Sequence, residues 1–213
     1  MQGSERRRLI IQFAKEPVEG KVKTRLLSGF KPSETVDLHC ELVSVTAEAL
    51  LASEAEERQL HIAGNLRHPF LTPFEAQGFT LIQQVEGDLG QKMLAALNKG
   101  LEEFEQVILV GSDCPAISPV IIESAFSALD NECRLVLNAA EDGGYVLIGC
   151  NHRLPDALFD QVNWGSKTVL SETLSNAASL GLQVRLLPEL WDVDYPEDVS
   201  RWRRWQYQQD HII

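Results

Sequence analysis

The run Val107-Ile108-Leu109-Val110-Gly111-Ser112-Asp113-Cys114-Pro115 decides how this chain is read. Four aliphatic residues between polar flanks predict a strand buried on both faces, as in parallel sheets covered by helices. Gly111 and Ser112 keep the following backbone open, and Pro115 ends the strand. Asp113 is left at the C-terminal end of the strand, where open α/β sheets bind their ligands. Two roles suit an acid there. It can hold a metal ion or a phosphate-bearing ligand, or it can cap the turn before a helix that begins near Pro119.

Working outward, strands and helices alternate. Residues 8–13 form a short apolar strand, and a loop rich in Gly, Pro and Lys occupies 14–25. A helix is predicted over 34–52 with Ser33 as N-cap, because Val36, Leu42, Val43, Ala47 and Leu50 recur at helical spacing. Strands at 60–63 and 79–83 flank a segment holding Pro69 and Pro73. Leu89, Met93, Leu97 and Leu101 then make the core-facing stripe of a helix over 89–104. Beyond the opening strand, Ser118-Pro119 starts a helix to residue 129. Strands at 134–138 and 145–148, a helix over 167–180, a strand at 184–187 and a helix over 197–207 complete the chain. This order predicts one domain spanning 1–213, with a mostly parallel sheet covered by helices.

Composition narrows the partners. With 213 residues and a formal net charge of −12, the protein is a poor match for nucleic acid or an anionic membrane surface, so anionic ligands need a local basic cluster. Cys40, Cys114, Cys133 and Cys150 show no paired spacing and read as reduced thiols, which favours the cytoplasm. Arg6-Arg7-Arg8 before Leu9-Ile10-Ile11 superficially resembles a signal peptide, but Gln12 and Lys15 interrupt the apolar run. No segment reaches the length of a membrane span. The five histidines lack paired metal spacing, which argues against zinc.

Four loops hold the candidate chemistry. Lys15, Lys21, Lys23 and Arg25, beside Gly20 and Thr24, form a local anion site after the first strand, with a solvated surface loop as the plainer reading. Gly20-Lys21 is followed by Val22, so this is not a Walker A loop. Asp88 reads first as the N-cap of the helix after it, and second as a nucleotide contact. In Glu141-Asp142-Gly143-Gly144, a hairpin alone would use Asp-Gly. Paired glycines beside acids also let backbone approach a ligand, and Asp142 can accept hydrogen bonds from sugar hydroxyls or a proton from a nucleophile. In Trp191-Asp192-Val193-Asp194-Tyr195-Pro196-Glu197-Asp198, the Asp194-x-x-Glu197 spacing has the form of a capping box. Asp192 and Asp194 alternate along an extended segment, so one can face the helix while the other faces the crevice, or Asp194 can do both. Mg²⁺ prefers one or two carboxylates plus water and substrate phosphates, a set that Asp113 and Asp194 would supply. Trp164, Trp191, Trp202 and Trp205 read as packing before they read as stacking platforms for a base or sugar.

Taken together, FAKEPVEGKVKTRL, GDLGQKM, GSDCPAISP, EDGGYVLIG, WGSKTVLSET and DVDYPEDV resemble the bacterial GT-A-like glycosyltransferase family of the nucleotide-diphospho-sugar transferase superfamily. The resemblance spans essentially the whole chain. It implies a three-layer α/β/α Rossmann-like fold with a mostly parallel mixed sheet. Lys15, Lys23, Thr24 and Arg25 would then lie near nucleotide phosphates, with Asp88 beside the nucleotide. Asp113 and Asp194 would hold Mg²⁺ or Mn²⁺, and Asp142, Gly143 and Gly144 would face the acceptor or sugar. Lys92 stands where Arg is common in this family, and Asn138-Ala139 where Gly-Pro is common; the first exchange loses a planar bidentate fork.

The expected activity is transfer of sugar from a nucleoside-diphosphate sugar to a small-molecule acceptor, with Asp113 and Asp142 as catalytic acids. Distant relatives such as molybdenum-cofactor guanylyltransferase and phospholactate guanylyltransferase move nucleotides on the same scaffold. Transfer of a nucleoside monophosphate from a triphosphate to a phosphorylated acceptor is therefore the second expectation, and a non-catalytic nucleotide-binding protein the third. A homodimer is compatible with all three.

Overall fold

A computed structural model describes residues 6–130 and 133–211. Its centre is one seven-stranded sheet in the order β3-β2-β1-β4-β6-β5-β7. The strands are β1 (Arg8–Lys15), β2 (Glu57–Ala63), β3 (Phe79–Gln83), β4 (Gln106–Val110), β5 (Leu135–Ala140), β6 (Tyr145–Cys150) and β7 (Val184–Leu190). Every residue of β4 is buried, as its unbroken aliphatic run requires. β1 pairs in parallel with β2 and β4, β2 with β3, and β5 with β7. β6 alone runs against its neighbours β4 and β5. Its N-terminus therefore lies at the same sheet edge as the C-terminal ends of the parallel strands.

The helices are α1 (Pro32–Leu51), α2 (Thr72–Ala76), α3 (Leu89–Gly100), α4 (Pro119–Asp130), α5 (Val169–Ser179) and α6 (Pro196–Asp210). One sheet face packs a cluster containing Val43, Ala47 and Leu50 of α1, Phe74 of α2, and Ile122 and Phe126 of α4. The other packs Met93 and Leu97 of α3 with Leu158, Phe159 and Val169. A third cluster joins Leu38 and Leu42 of α1 to Leu26, Val193 and the fully buried Trp202 of α6. This fastens both the loop after β1 and the segment after β7 to the body of the molecule. The tryptophans pack as expected: Trp164 sits edge-on to Phe159, and Trp205 edge-on to Trp191. All four cysteines are free, and among the described residues no helix is long and apolar enough to cross a membrane.

Several local expectations change. Ser33 does not cap α1: the helix begins at Pro32, and the Glu34 carboxylate accepts from the Lys31 N–H at 2.7 Å, so Ser33 lies inside the first turn. The strands are mostly longer than their apolar cores, because pairing carries β1 on to Lys15 and β7 through Pro188 to Leu190. α3 stops at Gly100, where a Cβ would collide with Leu9 and Val107, and Leu101 becomes its C-cap. The segment containing Pro69 and Pro73 folds into a short 3₁₀ turn and α2.

Candidate functional site

The C-terminal edge of β1, β2 and β4 opens into a cavity of about 470 Å³ that the start of β6 also lines. Ser112 holds its centre in place. This buried hydroxyl donates to the Phe13 carbonyl at 2.7 Å and accepts from Gln12 Nε2 at 2.9 Å, tying the turn after β4 to the end of β1. A Cβ added to Gly111 would meet only open space, so backbone is bare toward the crevice there. Asp113 follows and does line the cavity. Its backbone carbonyl accepts from the Val193 N–H at 2.9 Å, which joins the turn after β4 to the segment after β7.

The charges are organised around Lys23. Its side chain is only 4 % exposed, and its Nζ lies 2.5 Å from Asp113 Oδ1 and 3.5 Å from Asp194 Oδ1 while donating to the Val193 carbonyl at 2.7 Å. Arg25 Nη1 takes the other Asp194 oxygen at 2.5 Å. Asp194 is free for both because it does not cap α6. The capping carboxylate is Asp198, whose Oδ2 accepts from the N–H groups of Asp194 and Tyr195 at 3.0 and 2.7 Å. The expected Asp194-x-x-Glu197 box is thereby corrected: Tyr195 is the N-cap residue, and its third helical neighbour is Asp198.

Two neighbouring acids feel this arrangement in opposite ways. Half of the Asp113 side chain faces the crevice, deep among protein atoms. That enclosure works to raise its carboxyl, but the charge and hydrogen bond of Lys23 overcome it and hold Asp113 below the ordinary carboxylate range. Asp192 also lines the cavity. Burial, reinforced by the negative charges of Asp113, Asp142 and Asp194, pushes it up to about 7 against a smaller opposing effect of Lys23. His39, buried beside the cavity with its Nε2–H donated to the Lys15 carbonyl at 3.0 Å, is lowered by burial.

The remaining expected residues divide. Lys15 is exposed on the cavity wall. Thr24 and Arg25 lie outside the lining, Thr24 opening a 3₁₀ turn over Thr24–Ser28. Asp88 is the N-cap of α3 and also stands outside the cavity, its Oδ1 accepting from the Gln91 N–H at 2.9 Å while Gln91 Oε1 accepts from the Asp88 N–H at 3.0 Å. Asp142 is exposed, accepts from the Gly144 N–H at 2.8 Å, and reaches the site only through its field on Asp192. Gly143 adopts φ 88°, and a Cβ there would collide with the Lys167 carbonyl, so its first duty is to seat the β5–β6 turn against the chain before α5.

Further residues outside the expected site set complete the lining. Lys92 projects from the first turns of α3, and neither it nor Lys15 has an ion-pair partner among the described residues. Gln84 gives its Nε2 hydrogens to the carbonyls of His61 at 3.0 Å and Ala14 at 3.4 Å, leaving its oxygen as an acceptor. Phe13, Ala63, Leu89 and Tyr145 supply apolar walls. Lys92 and Leu89 stand in the helix-opening string GDLGQKM, where Lys92 is the one with a chemical signal.

Asp113 on the cavity wall and Asp194 just outside the lining are two carboxylates that a hard divalent cation could use. Asp113 and Asp194 already converge on one positive centre, the Lys23 ammonium. Among the described residues no group of three His, Cys, Asp or Glu gathers, so further ligands would be water and substrate phosphate, as suits Mg²⁺ or Mn²⁺ better than zinc.

Comparison with known proteins agrees with this architecture. The family profile described as "Uncharacterized protein conserved in bacteria (DUF2064)" matches residues 46–166, more than half of the chain. A crystal structure from Desulfovibrio desulfuricans G20, provisionally described as a nucleotide-diphospho-sugar transferase, is similar at 29% identity and TM-score 0.79, over 88% of this chain and 82% of that one. The inositol-1-phosphate CTP transferase of T. maritima shares the fold at 16% identity and TM-score 0.62, over 90% and 91% of the two chains. So does the 4-diphosphocytidyl-2C-methyl-D-erythritol synthase of Anaerococcus prevotii DSM 20548, at 11% and 0.60, over 95% and 96%. No curated protein matches the chain.

Proposed function

The chain belongs to the DUF2064 family of proteins conserved in bacteria, and from that membership together with the crevice we propose that it is a metal-dependent glycosyltransferase using a nucleoside-diphosphate sugar. The observation that carries this reading is the charge pattern of one cavity: ammonium groups at Lys15 and Lys92 with no ion-pair partner among the described residues, and acids at Asp113 and Asp192. The 29% identity to a protein provisionally described as a nucleotide-diphospho-sugar transferase supports the choice of donor. A four-carbon stem ending in a point charge suits diphosphate oxygens at Lys15 and Lys92. The apolar walls and the acceptor oxygen of Gln84 suit a nucleobase, which offers both a flat face and N–H groups.

Asp113 and Asp194 would hold Mg²⁺ or Mn²⁺, which when bound would offset negative charge on the departing nucleoside diphosphate. Lys15 and Lys92 would orient the diphosphate and share that charge. Asp192 sits among like charges and is readily protonated, so it would take the proton of an acceptor hydroxyl. Asp142 would act at one remove, through its charge on Asp192. The free thiols suit a reducing cytoplasm.

The test is a thermal-shift and product panel with UDP-, GDP-, ADP- and dTDP-sugars and nucleoside triphosphates, with and without Mg²⁺ or Mn²⁺. A sugar nucleotide that raises Tm in a metal-dependent way and releases nucleoside diphosphate is the expected result. Pyrophosphate released from a triphosphate would instead make the protein a nucleotidyltransferase. Binding without any turnover would make it a nucleotide-binding protein, and no response to the whole panel would sink all three readings.

A further inference from the structure

Lys23 comes from the basic loop, where a phosphate ligand is expected, yet its side chain points away from solvent into the acid pair. The ammonium donates to the Val193 carbonyl, lies 2.5 Å from Asp113 Oδ1 and forms a longer ion pair with Asp194 Oδ1 at 3.5 Å. Its charge is committed to the acid pair, and its side chain is 4 % exposed, while that arrangement lasts. The backbone at Lys23 is left-handed, φ 47° and ψ 42°, a conformation unfavourable for any residue with a Cβ. Lys23 and Gln161 are the only non-glycine residues among those described with positive φ. Lys15 and Lys92, in the same cavity, have no ion-pair partner among the described residues.

We propose that Lys23 is a resident cation that competes with a divalent metal ion for Asp113 and Asp194, so that the ion enters only when a phosphate-bearing ligand draws the ammonium off the acids. The proposal rests on reading that acid pair as the metal site. Both cations use the same carboxylate oxygens, and their mutual repulsion opposes joint occupancy between two carboxylates. A diphosphate offers the ammonium new acceptors and supplies the ion with oxygen ligands, so metal and ligand arrive as coupled events.

Electron paramagnetic resonance of Mn²⁺ with the full-length protein tests this, with inorganic pyrophosphate as the anionic probe. Lys23→Met and Lys23→Gln are expected to bind Mn²⁺ alone at least tenfold more tightly than the unmodified protein, and adding Asp113→Asn to either should abolish the gain. Pyrophosphate should tighten Mn²⁺ binding by the unmodified protein at least tenfold, and by a smaller factor in the variants. A role confined to holding the two loops together would lower the melting temperature without raising Mn²⁺ affinity. Equal or weaker Mn²⁺ binding by both folded variants overturns the proposal, as does an unmodified protein that binds Mn²⁺ equally well with and without pyrophosphate. The second comparison needs no variant, so misfolding cannot shelter the idea. A failed nucleotide panel would remove the transferase reading and leave this competition standing, whereas unchanged Mn²⁺ affinity would remove the competition alone.

Discussion

Burial with a partner and burial without one leave opposite marks on titratable side chains in this molecule. Asp113 has Lys23 and is held low, whereas Asp192 is ringed by acids and rises to about 7. His61 on β2 is buried, with its Nε2–H given to Gln59 Oε1 at 2.9 Å and its ring stacked on Phe13, and burial lowers it to about 4. In the unfolded chain it titrates near 6.5. Between those values the unfolded state carries the extra proton, so His61 contributes stability that is whole above 6.5 and lost as pH falls toward 4. Urea titrations of the unmodified protein should therefore show a decline across that window, and His61→Leu should flatten it by about 1–3 kcal/mol; parallel pH profiles would show that His61 takes up its proton equally in the folded and unfolded states. At this scale the sequence exposes residues that sit in loops with a strong chemical bias, so Asp113, Lys15 and the Asp192/Asp194 alternation are legible. Gln84, His39 and Tyr145 are not. Each belongs to a run that reads as ordinary strand, strand end or helix, and its approach to the cavity depends on how separate elements are laid side by side.

The elements that frame the crevice owe their positions to caps and turns. Asp88 and Gln91 cap α3 reciprocally outside the cavity, so Asp88→Ala should cost about 1 kcal/mol of stability while leaving sugar-nucleotide affinity within twofold. A loss of tenfold or more by calorimetry would return Asp88 to the nucleotide. Gly143 is less replaceable, since φ 88° and the Lys167 carbonyl both exclude a Cβ. Gly143→Ala should lower stability by about 2 kcal/mol or more, read from the denaturation midpoint, and a neutral result would mean that the turn can shift away from α5. Long periodic elements are legible in the sequence because burial writes a repeat into them, as at Met93 and Leu97 of α3, although Leu89 at the head of that expected stripe is exposed on the crevice wall instead of buried in the core. The 3₁₀ turn at Pro69–Leu71, the helix Thr72–Ala76 and the turn at Asp156–Phe159 are too short to show a period. The cap of α6 was misplaced for a related reason: Asp194, Glu197 and Asp198 are all good capping acids, and only the backbone path selects Asp198.

Across the whole molecule, the third core cluster couples the site to the C-terminal helix. Trp202 is fully buried with Leu26, just after Arg25, and Val193, between the two aspartates. Trp202→Ala should cost about 3–5 kcal/mol and also weaken sugar-nucleotide binding in the molecules that remain folded. Loss of stability with unchanged affinity would show that the loops hold their places without α6. The fold class was legible because strand and helix patterns alternate and no linker divides them. The reversed direction of β6 was legible only as a hairpin option at Asp142-Gly143, since a strand's own residues do not record which way its neighbours run.

That reversal has a consequence for how such a protein diversifies. A crossover connection leaves a parallel strand at one end of the sheet and must return at the other, so changing it disturbs a helix layer. The Glu141–Gly144 turn begins and finishes at the same rim, fastened by Arg201 to Glu141 at 2.6 and 2.8 Å and packed on the chain before α5. Its exposed positions can exchange side chains while Gly143 keeps its seat and the strands beneath keep their register. The rim therefore has one interchangeable lip beside a fixed floor, and variation in what the protein accepts would be written there first.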